Sequence, residues 1–132
     1  MSRKLDAAIA EALGYVVTWK KENKSAFGYF IYADCEPDEV GADTYILEGV
    51  VLVRLVPDYS TDGNDMVKLE REMGMRGWLL TVSRTTDQIT PFMSTFVKSD
   101  DPEIAYSDVS NAWPKAVALA ARKALRREEW TE

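Results

Sequence analysis

The stretch Tyr45-Ile46-Leu47-Glu48-Gly49-Val50-Val51-Leu52-Val53-Arg54-Leu55-Val56 decides how the chain is read. Its β-branched residues predict a long β segment, with Gly49 as a bulge or kink. Val50 to Val53 are apolar at every position. Successive strand residues face opposite sides, so an unbroken apolar run needs cover on both faces. Pro57 ends the segment. A sheet shielded front and back by helices follows from this one reading.

Upstream, residues 34–48 hold Asp34, Glu36, Asp38, Glu39, Asp43 and Glu48 with no Lys or Arg, and Pro37 and Gly41 lie among them. This pattern predicts a solvated loop. Gly28 to Ala33 reads as a strand, as does Tyr15 to Trp19. Residues 3–13 predict a helix with Leu5, Ile9, Ala12 and Leu13 on one stripe, capped by Ser2 and closed by Gly14.

Downstream, Tyr59-Ser60-Thr61-Asp62 is a turn with several possible caps for a helix that buries Met66, Leu69 and Met73 and stops at Gly77. Trp78 to Arg84 and Ile89 to Val97 alternate as two paired strands, and Pro91 favours an edge position or a bulge for the second. Ser99 to Asn111 carries Asp100, Asp101, Glu103 and Asp108 and reads as a second acidic loop. Residues 112–128 predict a final helix with an Ala-rich face and Pro114 in its first turn. The expected fold is α+β, a single domain over 1–132. It is a three-layer α/β/α sandwich with a mostly antiparallel sheet of about four strands and about three helices.

Composition limits the chemistry. The 132 residues include no His and a single Cys, with a net charge of −6. Imidazole-dependent triads and His-ligated zinc are excluded, as is any intrachain disulfide. Cys35 has no His to activate it, and Asp34 and Glu36 disfavour a thiolate. Residues 34–48 lack the spacing of a calcium-binding loop. There is no Walker A loop, no G-x-G-x-x-G and no G-x-S-x-G. No cofactor and no metal is expected, and the chain reads as a non-enzyme.

Nucleic acid is an unfavoured partner, because the basic cluster Arg122, Lys123, Arg126 and Arg127 is followed at once by Glu128 and Glu129. No apolar run approaches the roughly 20 residues of a membrane span. The opening Met-Ser-Arg-Lys-Leu-Asp leads into a helical pattern and not into a secretory signal, which places the expected location in the cytoplasm.

Two surfaces remain as candidates. Tyr59, Ser60, Thr61 and Asp62 stand at a helix N-terminus, where hydroxyls and free N–H groups can take an anion or simply cap the helix. Trp19, Phe27, Tyr29, Phe30 and Tyr32 concentrate in the first β region, as at a protein interface or a stacking pocket.

The order Pro57-Asp58-Tyr59-Ser60-Thr61-Asp62, a helix, Met73 to Gly77-Trp78, Val82-Ser83 and the final Ala112-Trp113-Pro114-x-Ala116-x-x-x-Ala120-Ala121 resembles the phage ABA-sandwich domain family over about residues 57–127. The resemblance implies an α/β/α sandwich and a phage or prophage origin, and it implies no activity. The reading that follows is a phage accessory protein in the host cytoplasm that acts by binding, as a protein-interaction module contacting a host or phage protein or a second copy of itself. The alternatives are a binder of a nucleotide or phosphate that sequesters a host signal, and last, an enzyme that works without His.

Overall fold

The computed structural model describes residues 2–21, 27–32, 44–47 and 51–127, with side chains over 3–17 and 55–127. In chain order the elements are α1 (Ser2–Ala12), β1 (Val17–Lys21), β2 (Phe27–Tyr32), β3 (Thr44–Leu47), β4 (Val51–Leu55), α2 (Gly63–Met75), β5 (Trp78–Arg84), β6 (Phe92–Lys98), β7 (Asp101–Ser110) and α3 (Trp113–Arg126). The α+β class holds, with three helices and antiparallel strand pairing.

The expected single sheet of about four strands is corrected. The described strands form two sheets, ordered β1-β2-β4-β3 and β5-β6-β7. The β5-β6 pair is as read from the sequence, but periodicity does not say how strands distant in the chain divide between sheets. The predicted β segment from Tyr45 to Val56 is also two strands. β3 and β4 pair antiparallel, with Leu47 opposite Val51 and Thr44 opposite Arg54. Gly49, Val50, Cys35 and the acidic residues from Asp34 to Asp43 lie outside the described residues, as do the side chains of Val51 to Val53.

The second acidic loop is corrected as well, because residues 101–110 form β7, paired with β6 from Ala105 to Ser110 and, past a shift in register, at Asp101. Its acids hid a period of two. Ile104 and Tyr106 turn toward the core, whereas Asp101, Pro102 and Glu103 are exposed at its start. This makes β6 the central strand of its sheet and overturns the edge position inferred from Pro91. Pro91 precedes the first residue of β6, so its missing N–H costs no ladder bond.

Helices account for the core. α3 buries Ala116, Val117, Ala118, Ala120, Ala121 and Ala124. This small-residue surface lets it settle closely on β6 and β7 and against α1, which offers Ala7 and Ala10 beside Leu5 and Ile9. Phe96, fully buried on β6, fills the space beneath. Burying one such side chain is worth about 1.5–3 kcal/mol. Phe92 packs against Trp113 in a tilted pair with ring centroids 4.5 Å apart, and Trp78 meets Tyr106 edge-on at 5.9 Å. α2 packs on β5 and α3 through Leu69 and Met73.

The expectation of helices on both faces of a sheet is not met by β5-β6-β7. Among the described residues its core face meets helices, while Leu79 on the opposite face is 60% exposed and Val109 is 37% exposed.

Candidate functional site

The turn before α2 is held by the start of the chain. Arg3 lies in the first turn of α1, and its guanidinium donates to the carbonyls of Val56 and Pro57 at 2.7 and 3.2 Å. It also pairs with Asp58 at 2.6 Å and Asp6 at 2.9 Å. Asp6 is fully buried, and its Oδ1 accepts the backbone N–H of Ser60 at 2.9 Å. Burial pushes the Asp6 carboxyl above its ordinary value, and the contacts with Ser60 and Arg3 oppose that rise without cancelling it.

This network positions the four residues singled out at the helix N-terminus. Tyr59 and Ser60 are buried, whereas Thr61 and Asp62 are exposed. Asp62 is the cap, accepting the N–H groups of Asn64 and Asp65 at 2.7 and 3.2 Å. Asp65 in turn accepts the N–H of Asp58 at 2.7 Å. Asp62 therefore takes two of the donors that the helix N-terminus would offer an anion, and Asp6 and Asp65 take the N–H groups of Ser60 and Asp58 in the turn before it.

Beside this turn lies a cleft of about 230 Å³ lined by Tyr15, Pro57, Tyr59, Lys68, Arg71 and Glu72. Tyr59 is the one member of the predicted quartet that reaches it. Tyr15 is delivered by the turn that ends α1. Gly14 adopts φ +103°, and Arg76 donates to the carbonyl of Leu13 at 2.7 Å, fixing the end of α1 to the end of α2. The Tyr15 hydroxyl donates to Glu72 at 3.5 Å, and Glu72 also pairs with Arg76 at 3.0 Å. Lys68 and Arg71 come from the exposed flank of α2, with Lys68 paired to Asp65 at 3.2 Å.

The second surface is the outer face of β5-β6-β7. Its register aligns Leu79, Val97 and Ala105, then Thr81, Thr95 and Ser107, then Ser83, Met93 and Val109. None of these nine side chains is charged, although 29% of the chain is. The hydroxyls of Thr95 and Ser107 share a hydrogen bond of 2.8 Å at its middle. Composition gives no hint of this face, because the acids of residues 100–108 mask the strand that completes it. With β7 recognised, the alternation of Ala105, Ser107 and Val109 would have shown it.

The aromatic set falls on β1 and β2, where Trp19 pairs in register with Tyr29, Thr18 with Phe30 and Lys21 with Phe27, while Tyr32 pairs with Val53 of β4. The side chains of Trp19, Phe27, Tyr29, Phe30 and Tyr32 lie outside the described residues. Among the described residues no helix is long and apolar enough to cross a membrane.

The sequence matches no family model and no curated protein. Among solved structures the chain is similar to a phage protein from Bacillus cereus ATCC 14579, with a TM-score of 0.59. The alignment covers 99% of this chain and 92% of that one at 15% identity. At that identity the likeness establishes a shared fold.

Proposed function

We propose that this chain is a phage or prophage accessory protein that acts in the host cytoplasm by binding another protein and performs no catalysis. The fold it shares with a phage protein supports the origin, together with the resemblance of residues 57–127 to the phage ABA-sandwich family. The binding role rests on one observation, the uncharged outer face of β5-β6-β7. A solvated antiparallel face ordinarily alternates polar and charged residues against the core. Here the outward positions are aliphatic or hydroxyl-bearing, and Leu79 is 60% exposed. An uncharged surface of this kind marks a contact site.

On a chain of net charge −6, it is also the surface on which two copies meet without like-charge repulsion. Self-association through this face is therefore the first partner to test, and the aromatic strands β1 and β2 offer a further contact region. Light scattering over a concentration series should show mass above the monomer, and Leu79→Lys with Thr81→Lys should abolish it. A photo-crosslinker at Leu79 in producing cells extends the test to host and phage proteins. A strict monomer that crosslinks to nothing would overturn the proposal.

A further inference from the structure

We infer that the cleft between Tyr15, Tyr59 and α2 is a binding site for a phosphate group, with Arg71 as its principal ligand. The argument starts from which charges there are already committed. Glu72 is neutralised by Arg76 at 3.0 Å, and Lys68 leans on Asp65 at 3.2 Å. Arg71 forms no ion pair and no hydrogen bond among the described residues. Its planar guanidinium presents a fork of donors matched to two oxygens of a phosphate, and Lys68, three residues earlier on the same helix flank, adds a second cation. The walls are rigid on the opposite side, because Arg3 holds the Pro57 carbonyl at 3.2 Å and Tyr59 is buried.

Size and charge narrow the ligand. A volume of about 230 Å³ is smaller than a cleft for a drug-sized molecule, and it suits a phosphate with part of what it is attached to. The acid excess of the chain repels anions at long range. Capture must then come from short charge-assisted hydrogen bonds within the cleft. The site lies beside the helix N-terminus but does not use it, since Asp62 takes the N–H groups of Asn64 and Asp65 there.

Backbone amide shifts of residues 15, 59, 68, 71 and 72 should be followed as inorganic phosphate, adenosine monophosphate and, at matched ionic strength, potassium chloride are each added to the full chain. Saturable shifts confined to these residues are expected with phosphate-bearing probes and not with chloride. Arg71 is exposed, so Arg71→Gln should keep the fold, checked by circular dichroism, and weaken binding by about tenfold or more. Arg71→Lys should restore part of it. Tighter binding of the monophosphate than of inorganic phosphate would identify a phosphoester as the ligand. Equal binding would identify the free ion, and both results uphold the site. Absence of saturable shifts with either probe at millimolar concentration, or equal binding by Arg71→Gln, overturns it.

Discussion

The carboxylate of Asp6 accepts the backbone N–H of Ser60 at 2.9 Å, across 54 residues of sequence. Both groups are buried, and Arg3 closes the arrangement from the solvent side at 2.9 Å. Asp6→Ala would strand the buried Ser60 N–H and remove one of the partners of Arg3. Removing one partner from a buried charged network costs about 3 kcal/mol. Urea unfolding should show a loss of that size, with the slope of the transition unchanged. A loss within experimental error of zero would mean the contact contributes nothing.

The same carboxyl makes stability depend on pH in a defined direction. Its ordinary value is 3.8, and burial raises it in the folded chain. The native state then retains a proton that the unfolded state has already released. The contribution of Asp6 is full below the unfolded value and is lost as pH rises through the folded one. The stability gap between the wild-type chain and Asp6→Asn should therefore shrink as pH is raised from below 3.8 toward neutrality. Paired urea titrations across that range check it, and a gap that widened with pH would reverse the sign argued here.

Ser94 lies on β6, fully buried, and its hydroxyl has no hydrogen-bond partner among the described residues. An unmet buried hydroxyl is a cost, and Ser94→Ala removes it while leaving a methyl in nearly the same space. The variant should be more stable by about 1 kcal/mol. A rise in melting temperature is the readout, and a fall would show that the hydroxyl is satisfied in solution.

Gly77 links α2 to β5 with φ +87°, and its carbonyl accepts the N–H of Ser99 at 2.8 Å. A Cβ there would find 3.5 Å to the Ser99 hydroxyl, so space is adequate and backbone strain decides. Gly77→Ala should cost about 1 kcal/mol or somewhat more. Thermal unfolding of the variant measures it directly.

Helices were the most legible part of the fold. Leu5, Ile9 and Leu13 are buried at the spacing that predicted α1, and Leu69 and Met73 do the same for α2. β5 and β6 alternate clearly enough to be found from sequence. β7 is not, because Asp101, Glu103 and Asp108 give it the composition of a loop and obscure the period of two running through Ile104 and Tyr106. The pairing of β5 with β6 was legible through the short turn between them, whereas the division of the strands into two sheets was not, since a two-residue repeat names no distant partner.

Within the candidate site, Tyr59 was visible as part of a turn, but Arg3 and Asp6 were missed. An acid placed beside Leu5 and one turn from Ile9 and Ala10, on the side of α1 that faces the core, was the available signal. Tyr15 and Arg71 meet through tertiary packing alone, and no local pattern brings together residues so far apart in sequence.

Arg3 grips the carbonyls of Val56 and Pro57, so the polypeptide leaves the helical body near residue 17 and rejoins it near residue 55 through a single neck. Whatever lies beyond that neck can change length cheaply, because each doubling of a closed excursion costs only about 0.6 kcal/mol. The β1-β2-β4-β3 unit is in this sense a cassette. An insertion or deletion within it should leave the body of α1, α2, α3 and β5-β6-β7 folded as it is.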